Sequence, residues 1–344
     1  MEFPYVKFED NRSTEDAKAI YNQRLEDAIE IYEKHNLSFY DRPCPYCGSK
    51  ESKEAKPFLE RYKVAHCDSC NSLYVNPCPN VDALSDYYNN GKCNIMLEDI
   101  VKKRQNRPSV SFILDNRIEA INRIIKSNNS LESFRVLEIG CASGIFLKKL
   151  KENLLSTFPS INFEFFGIDI DQNAISNPAG NDLNLTCSSV EEFVSSSDQK
   201  FDLILHFELI EHLSDPFSFM VEVKKLLVKG GSMLFTTPNM EGLEMVASDY
   251  DQYRLLAHGI FPPMHLNAFS TLNITNFLIR AGFKVREIST PGKFDVDMVK
   301  ICSEFVEDSL WKSLAKLDDK TLGFLQALVI RLKASSHMQC IVSV

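Results

Sequence analysis

Apolar residues in this chain follow two different periods, and the change of period divides it. Over residues 13–35, Ala17, Ile20, Leu25, Ala28 and Tyr32 recur at roughly helical spacing behind a variant capping pair, Ser13 and Asp16. This spacing predicts an acidic amphipathic helix that packs on a neighbour or on a second copy of the chain, so a homodimer is one expectation. Residues 81–130 read as helices broken near Asn89-Asn90-Gly91. Within them Phe112, Ile113, Ile118, Ile121, Ile124 and Ile125 give a helix a face to lay on a sheet.

From residue 134 short apolar runs alternate with helical patterns. Strands are predicted at 134–139, 163–170, 201–207, 232–237 and 284–289, with helices at 145–155, 216–228 and 271–281. A further helix around 321–333 and an apolar run at 338–344, suited to a closing strand, complete the chain. Such alternation predicts an α/β fold with a mostly parallel sheet covered by helices on both faces.

The balance of residues narrows the partners. With 44% hydrophobic and 25% charged residues the chain has the make-up of a folded soluble protein. A formal charge of −9 argues against a nucleic-acid backbone as main partner, because phosphate binding needs a positive field. The densest basic run, Lys102-Lys103-Arg104 with Arg107, reads as a solvated face. Met1-Glu2-Phe3-Pro4 lacks the basic start and apolar stretch of a secretory signal, and no apolar segment approaches the ~20 residues that span a bilayer. A cytoplasmic protein without a membrane partner is expected. Ten cysteines in a reducing compartment point to metal ligands or buried side chains.

Four of those cysteines form two matched pairs, Cys44-Pro-Tyr-Cys47 and Cys67-Asp-Ser-Cys70. Two thiolates three apart on a tight turn can face one ion, and two such turns complete the tetrahedral site that zinc favours. Gly48 and Asn71 follow the pairs and readily take the left-handed conformation that ends such a turn. On either side of the second turn, residues 61–66 and 72–75 can pair as strands. A module this small buries too little surface to fold well alone, and a structural zinc ion supplies about 10–16 kcal/mol. A redox dithiol, or His66 in place of one cysteine, fits the matched pairs less well. Four protein ligands leave no open position, so the ion is structural. Cys78, Cys93, Cys141, Cys187, Cys302 and Cys340 show no ligand spacing.

The chemical signal lies in Val136-Leu-Glu-Ile-Gly140-Cys-Ala-Ser-Gly144, where an apolar strand runs through a turn of small residues straight into a helix. That geometry lets backbone amides approach a ligand and aims a helix N-terminus at an anionic group. A dinucleotide fingerprint needs glycine at 142 and 145, where Ala and Ile stand. The segment resembles motif I of the class I S-adenosylmethionine-dependent methyltransferases, with Ala142 in place of the commoner middle glycine. Phe166-Gly-Ile-Asp169-Ile-Asp171 and Phe201–Pro216, with its Glu211-His212 pair, resemble the family's later segments. So do Leu226–Asn239, with Gly230-Gly231, and Ala281-Gly-Phe283. The resemblance spans residues 134–290. Four-cysteine modules ahead of such a domain are similar to those of bacterial sugar and small-metabolite methyltransferases.

The resemblance implies a Rossmann-like seven-stranded sheet of order 3-2-1-4-5-7-6 and a division of the chain. Residues 1–40 would be an N-terminal helical segment, 41–80 a zinc-ribbon-like module, 81–130 a helical linker and 131–344 the methyltransferase domain, with a helical insertion at 290–337. It implies S-adenosylmethionine held by Glu138, Gly140, Cys141, Ala142 and Gly144 at the methionine end, and by Asp169 with Ile170 at the ribose. Ser189 and Val190, with Ser188, would lie at the adenine, and His206 and Phe207 near the sulfonium. His265, then His212, are the candidates for a general base; a histidine that only bonds backbone is an equal reading of His265 and the stronger reading of His212. The acceptor expected is a small molecule, a sugar or a nucleotide- or phosphate-linked metabolite. An RNA methyltransferase gripping its substrate with the zinc module, and a cofactor-binding protein without catalysis, are the rival readings.

Overall fold

The computed structural model describes residues 7, 14–55, 57–97, 108–127, 132–180, 182–247, 259–303 and 309–344. Ser13, the basic run at 102–107, and the side chains of Ala17, Phe112 and Ile113 lie outside the described residues. Among them, no helix is long and apolar enough to cross a membrane.

Helix α1 (Thr14–His35) carries Ile20, Tyr21, Ala28 and Ile31 buried on one side. It shares a core cluster with Tyr62, Val75, Tyr87 and Phe261. Strands β1 (Ser52–Glu54), β2 (Val64–Cys67) and β3 (Leu73–Val75) follow, then α2 (Val81–Asn90), whose N-terminus is capped by the Asn80 side chain. β2 and β3 pair antiparallel with Val64 opposite Val75 and His66 opposite Leu73, as the sequence predicts. A fourth strand joins them from far along the chain: β9 (Asn267–Ala268) pairs with β3, giving the order β1-β2-β3-β9. A two-residue strand carries no period, so sequence patterning misses it.

The larger sheet contains β4 (Ser133–Ile139), β5 (Asn162–Asp169), β6 (Asn184–Cys187), β7 (Phe201–Phe207), β8 (Leu227–Pro238), β10 (Lys284–Ser289) and β11 (His337–Ser343). Its order is β6-β5-β4-β7-β8-β11-β10, the 3-2-1-4-5-7-6 arrangement expected. β11 runs antiparallel to both neighbours, and the other described pairings are parallel. β6, read as Asn-Leu-Thr-Cys, lies at the edge and is mostly exposed, which explains its lack of an apolar signature.

Side chains alternate between two cores. Phe134 and Val136 of β4 face α3 (Pro108–Lys126) and α4 (Ile145–Thr157), where Ile121, Ile125, Leu147 and Leu150 are fully enclosed. Leu137 and Ile139 face the other way, into a cluster with Phe219, Met220 and Val223 of α7 (Pro216–Leu226). Two shorter helices follow β5 and β6: α5 (Gln172–Ser176) packs Ile175 against the α3–α4 side, and α6 (Val190–Ser196) buries Val190 and Phe193 on the α7 side. Beyond β8 come α8 (Leu243–Ala247), α9 (Thr271–Arg280), α10 (Asp295–Ile301), α11 (Ser309–Leu314) and α12 (Asp319–Arg331).

The same alternation decides the fate of His206, which sequence placed near the sulfonium. Its ring is fully buried on the face opposite Phe207, stacked on Phe235 at 4.6 Å and edge-on to Phe219 at 5.4 Å. Neither ring nitrogen has a hydrogen-bond partner, and burial pushes its pKa down to about 3. The imidazole is a core side chain, withdrawn from any cofactor. The folded pKa lies below the unfolded 6.5, so the unfolded chain binds the proton more tightly. This histidine's contribution is complete above the unfolded pKa and is lost as pH falls towards the folded one. His206→Phe removes the penalty and should recover about 2 kcal/mol at about pH 5 relative to neutral pH. Denaturant unfolding across a pH series checks this; parallel curves for the two proteins would mean the ring finds a partner.

Candidate active site

The turn between β4 and α4 is held open by three left-handed residues, Gly140 at φ +73°, Ala142 at +47° and Gly144 at +78°. The left-handed conformation favours glycine at 144, where a Cβ would also press on the Leu183 and Leu185 methyl groups. Ala142 tolerates the conformation because its N–H donates to Asp169 Oδ2 at 2.7 Å. Asp169 Oδ1 accepts from Asp171 N at 2.9 Å, which fixes the carboxylate at the end of β5. Each oxygen keeps a lone pair for a further donor. Ser188 N donates to the Asp169 carbonyl, drawing the loop before α6 to the same spot.

Around this turn the predicted residues divide. Glu138 is buried beneath it with Oε2 unpartnered, and burial raises its pKa to about 8 against the pull of Arg117 and the Leu147 N–H. Cys141 packs its thiol into the core below the turn, and Ile170 stands 75% exposed at its lip. Ser189 uses its hydroxyl in a capping box with Glu192. The Val190 side chain is buried in the main core and does not line the cleft as sequence suggested.

Phe207 ends β7 between the ring of Phe146, 4.9 Å away edge-on, and the Arg117 guanidinium, 4.0 Å above its face. Arg117 also donates to Thr236 Oγ1 at 3.3 Å, and that hydroxyl donates to Glu208 Oε1 at 2.7 Å. His337 Nδ1 lies 3.5 Å from the same carboxylate oxygen.

Both candidate bases meet just beyond. His212 and His265 sit edge to face with centroids 4.7 Å apart, and Glu211 Oε1 lies 3.8 Å from His212 Nε2. His212 Nδ1 is 2.9 Å from both the Met264 carbonyl and the Tyr88 hydroxyl, and burial pushes its pKa down to about 4. Glu211 is fully buried; Thr237 Oγ1 donates to its Oε2 at 2.9 Å, and burial beside Glu208 holds its carboxyl well above the usual range. His265 and Glu208 border a cavity of about 250 Å³ whose wall includes Asn239, Lys293, Asp295 and His337.

The cysteine pairs converge as their spacing predicts. Cys44 Sγ lies 3.6 Å from Cys70 Sγ and Cys47 Sγ 3.5 Å from Cys67 Sγ, with all four sulfurs within 4.8 Å. A disulfide needs about 2.05 Å, whereas tetrahedral Zn–S bonds of about 2.3 Å set sulfurs just under 4 Å apart. Gly48 at φ +80° and Asn71 at +58° end the two turns and donate back to the carbonyls of Cys44 and Cys67. Burial raises the Cys44 and Cys70 thiols, a cost that a bound cation reverses. The cluster is able to chelate a metal.

With this geometry in place, comparison with known proteins is direct. The family described as "Methyltransferase domain" matches residues 100–288, more than half of the chain. The chain belongs to the methyltransferase-domain family. It is 27% identical over 163 residues to the mitochondrial ubiquinone biosynthesis O-methyltransferase of Dictyostelium discoideum, covering 42% of this chain and 48% of that protein. It is 30% identical over 121 residues to the ubiquinone biosynthesis O-methyltransferase of Aromatoleum aromaticum, covering 33% and 48%. The chain spans about half the length of these curated relatives. Among solved structures it is similar to a plantazolicin methyltransferase bound to S-adenosylhomocysteine, at TM-score 0.48 and 17% identity over 76% of this chain and 93% of that one. It is also similar to a SAM-dependent methyltransferase from Archaeoglobus fulgidus, at TM-score 0.42 and 18% identity over 67% and 94%.

In this methyltransferase-domain chain, sequence reasoning missed Arg117, Glu208 and Tyr88 as neighbours of the site. Glu208 was within reach of it, because it stands at the end of a predicted strand. Arg117 and Tyr88 come from helices ahead of β4 and carry no local signal.

The cysteine module is stitched to the domain. Arg42 donates to the carbonyls of Val75, Leu266 and Ser214 and to Asn267 Oδ1. Asn273 Nδ2 reaches Ser72 Oγ at 3.1 Å, and Arg280 the Tyr46 carbonyl at 2.7 Å. Stripping metal with a chelator, or Cys67→Ser, should therefore loosen β9 and the His265 segment along with the module. Hydrogen exchange at Leu266 and Asn267 is expected to rise; unchanged protection there would mean that β9 stands without its partner strand.

Proposed function

We propose that this chain is an S-adenosylmethionine-dependent methyltransferase acting on a hydroxyl of a small molecule, a sugar or a nucleotide- or phosphate-linked metabolite. The observation that carries the reading is the bond from Ala142 N to Asp169 Oδ2. It ties the small-residue turn to an acid at the neighbouring strand's tip, where ribose hydroxyls can donate to the remaining lone pairs. The cofactor, when bound, supplies a methyl group on a cationic sulfur. Gly140–Gly144 would hold its amino-acid end, Asp169 its ribose, and Ile170 the adenine side.

The chain's remaining task is positioning, since an in-line displacement needs the acceptor fixed behind the methyl carbon. The cavity beside Glu208 and His265 does this with polar walls. Asn239 and Asp295 suit hydroxyls, and Lys293 brings the positive charge that a phosphate-linked acceptor uses. His265, with His212 beside it, is placed to act on the acceptor's proton. The O-methyltransferase names of the curated relatives support oxygen as the acceptor atom. We assign zinc to the four cysteines, Cys44, Cys47, Cys67 and Cys70, in a structural role.

Two measurements test this. Asp169→Ala should weaken S-adenosylmethionine binding at least tenfold by calorimetry, about 1.4 kcal/mol, and equal affinity would remove the cofactor reading. His265→Ala should lower turnover at least tenfold, about 1.4 kcal/mol of barrier, with cofactor affinity little changed; a wild-type rate would exclude this residue from the chemistry.

A further inference from the structure

We infer that Arg117 and Lys293 form an oxyanion subsite, in a second cavity adjoining the acceptor cavity, that selects acceptors carrying a carboxylate or a phosphate. His337, Gln339 and Ile341 share one face of β11. Ile341 joins the apolar core beneath α3, whereas the other two border a cavity of about 160 Å³. Asn116 and Arg117 of α3, with Lys293 from the segment between β10 and α10, complete its polar wall.

Charge is sorted between the two cavities. The smaller has no carboxylate among its described wall residues, while Glu208, Glu244 and Asp295 border the larger. Gly292, Lys293, Phe294 and His337 belong to both walls, so an acceptor in the larger cavity has the basic one next to it.

The Arg117 guanidinium is fixed in place, 4.0 Å above the Phe207 ring and donating to Thr236 Oγ1 at 3.3 Å. That bond occupies one of its five N–H groups, and the buried Nε–H has no partner. Among the described residues no carboxylate forms an ion pair with it; Glu208 is linked to it through the Thr236 hydroxyl. Burial pushes both cations below their ordinary pKa values. The attraction of Glu208 and Glu138 for Arg117, and of Glu119 for Lys293, offsets this only in part. Two partly desolvated cations are costly as they stand, and a bound oxyanion removes that cost through charge-assisted hydrogen bonds. A planar guanidinium held at a cavity wall is suited to carboxylate and phosphate oxygens alike. That the oxyanion belongs to a methyl acceptor rests on the proposed methyltransferase reading; the subsite itself does not.

Inorganic phosphate and acetate are the probes, one for each kind of oxyanion. Calorimetric titration of the full chain, its cysteine cluster filled with zinc, should show one saturable site for at least one of them, and the tighter of the two identifies the acceptor's group. Arg117→Gln and Lys293→Gln should each weaken that binding about tenfold or more, with zinc content and thermal unfolding unchanged. Arg117 also packs on Phe207, so if its variant unfolds, Lys293→Gln decides alone. Wild-type protein that binds neither anion saturably overturns the subsite, and so does unaltered affinity in a folded variant. Titration of the same samples with S-adenosylhomocysteine separates the two conclusions. Its binding without either oxyanion would sink the subsite and keep the methyltransferase reading; oxyanion binding without it would do the reverse.

Discussion

Parallel strands that end on one edge of a sheet are the constraint from which the rest of this molecule follows. β4, β5, β7 and β8 lie side by side and point the same way, so the segments after them meet at one edge although they are far apart in sequence. The turn at 140–144, the acid at 169, the Phe207–His212 segment and Asn239 are all products of that edge. The reversed strand β11 adds to it from the opposite direction. Its first residue, His337, pairs with Pro238, the last of β8, and so reaches Glu208.

The cysteine module makes a second use of the same edge. β9 follows the edge segment containing His265 and immediately joins β3, while Arg42 bonds to three carbonyls and one side-chain oxygen on both sides of the junction. Tyr88 on α2 then reaches His212 itself. An ion in the four thiolates would thus hold more than a small ribbon. It would stiffen the backbone on which His265 is mounted, adding metal-binding energy to the burial of Phe261, Met264 and Leu266 that already orders that segment.

Much of this was legible in sequence wherever a residue's role is local. The two C-x-x-C turns and the glycine at 144 depend on neighbours a few positions away, the strand order is what the family resemblance implies, and the structure agrees with them. Asp169 was legible because a strand end fixes its place. What was lost is facing. His206 and Phe207 are consecutive and both end a strand, yet one ring enters the core and the other the cleft, because strand side chains alternate. Val190 opens a helix, and its buried phase takes its side chain away from the ligand. Arg117, reaching Phe207 from α3, is a tertiary contact with no sequence period to reveal it.

Three buried groups that each carry an unpartnered polar atom, His206, Glu138 and Glu211, show how facing also decides chemistry. His206 is walled by aromatic rings, and in that setting a missing partner means only a neutral ring and an acid-sensitive core. Glu138 lies under the turn at 140–144 with Arg117 nearby, and the guanidinium's pull only partly offsets the burial that raises its carboxyl. Glu211 differs from both, because Thr237 Oγ1 donates to one of its oxygens while the other faces His212 Nε2 at 3.8 Å, and burial beside Glu208 keeps its carboxyl well above the usual range. The same burial that leaves His206 a neutral ring keeps Glu211 a neutral acid, because a low-dielectric surround penalises an unpaired charge on either.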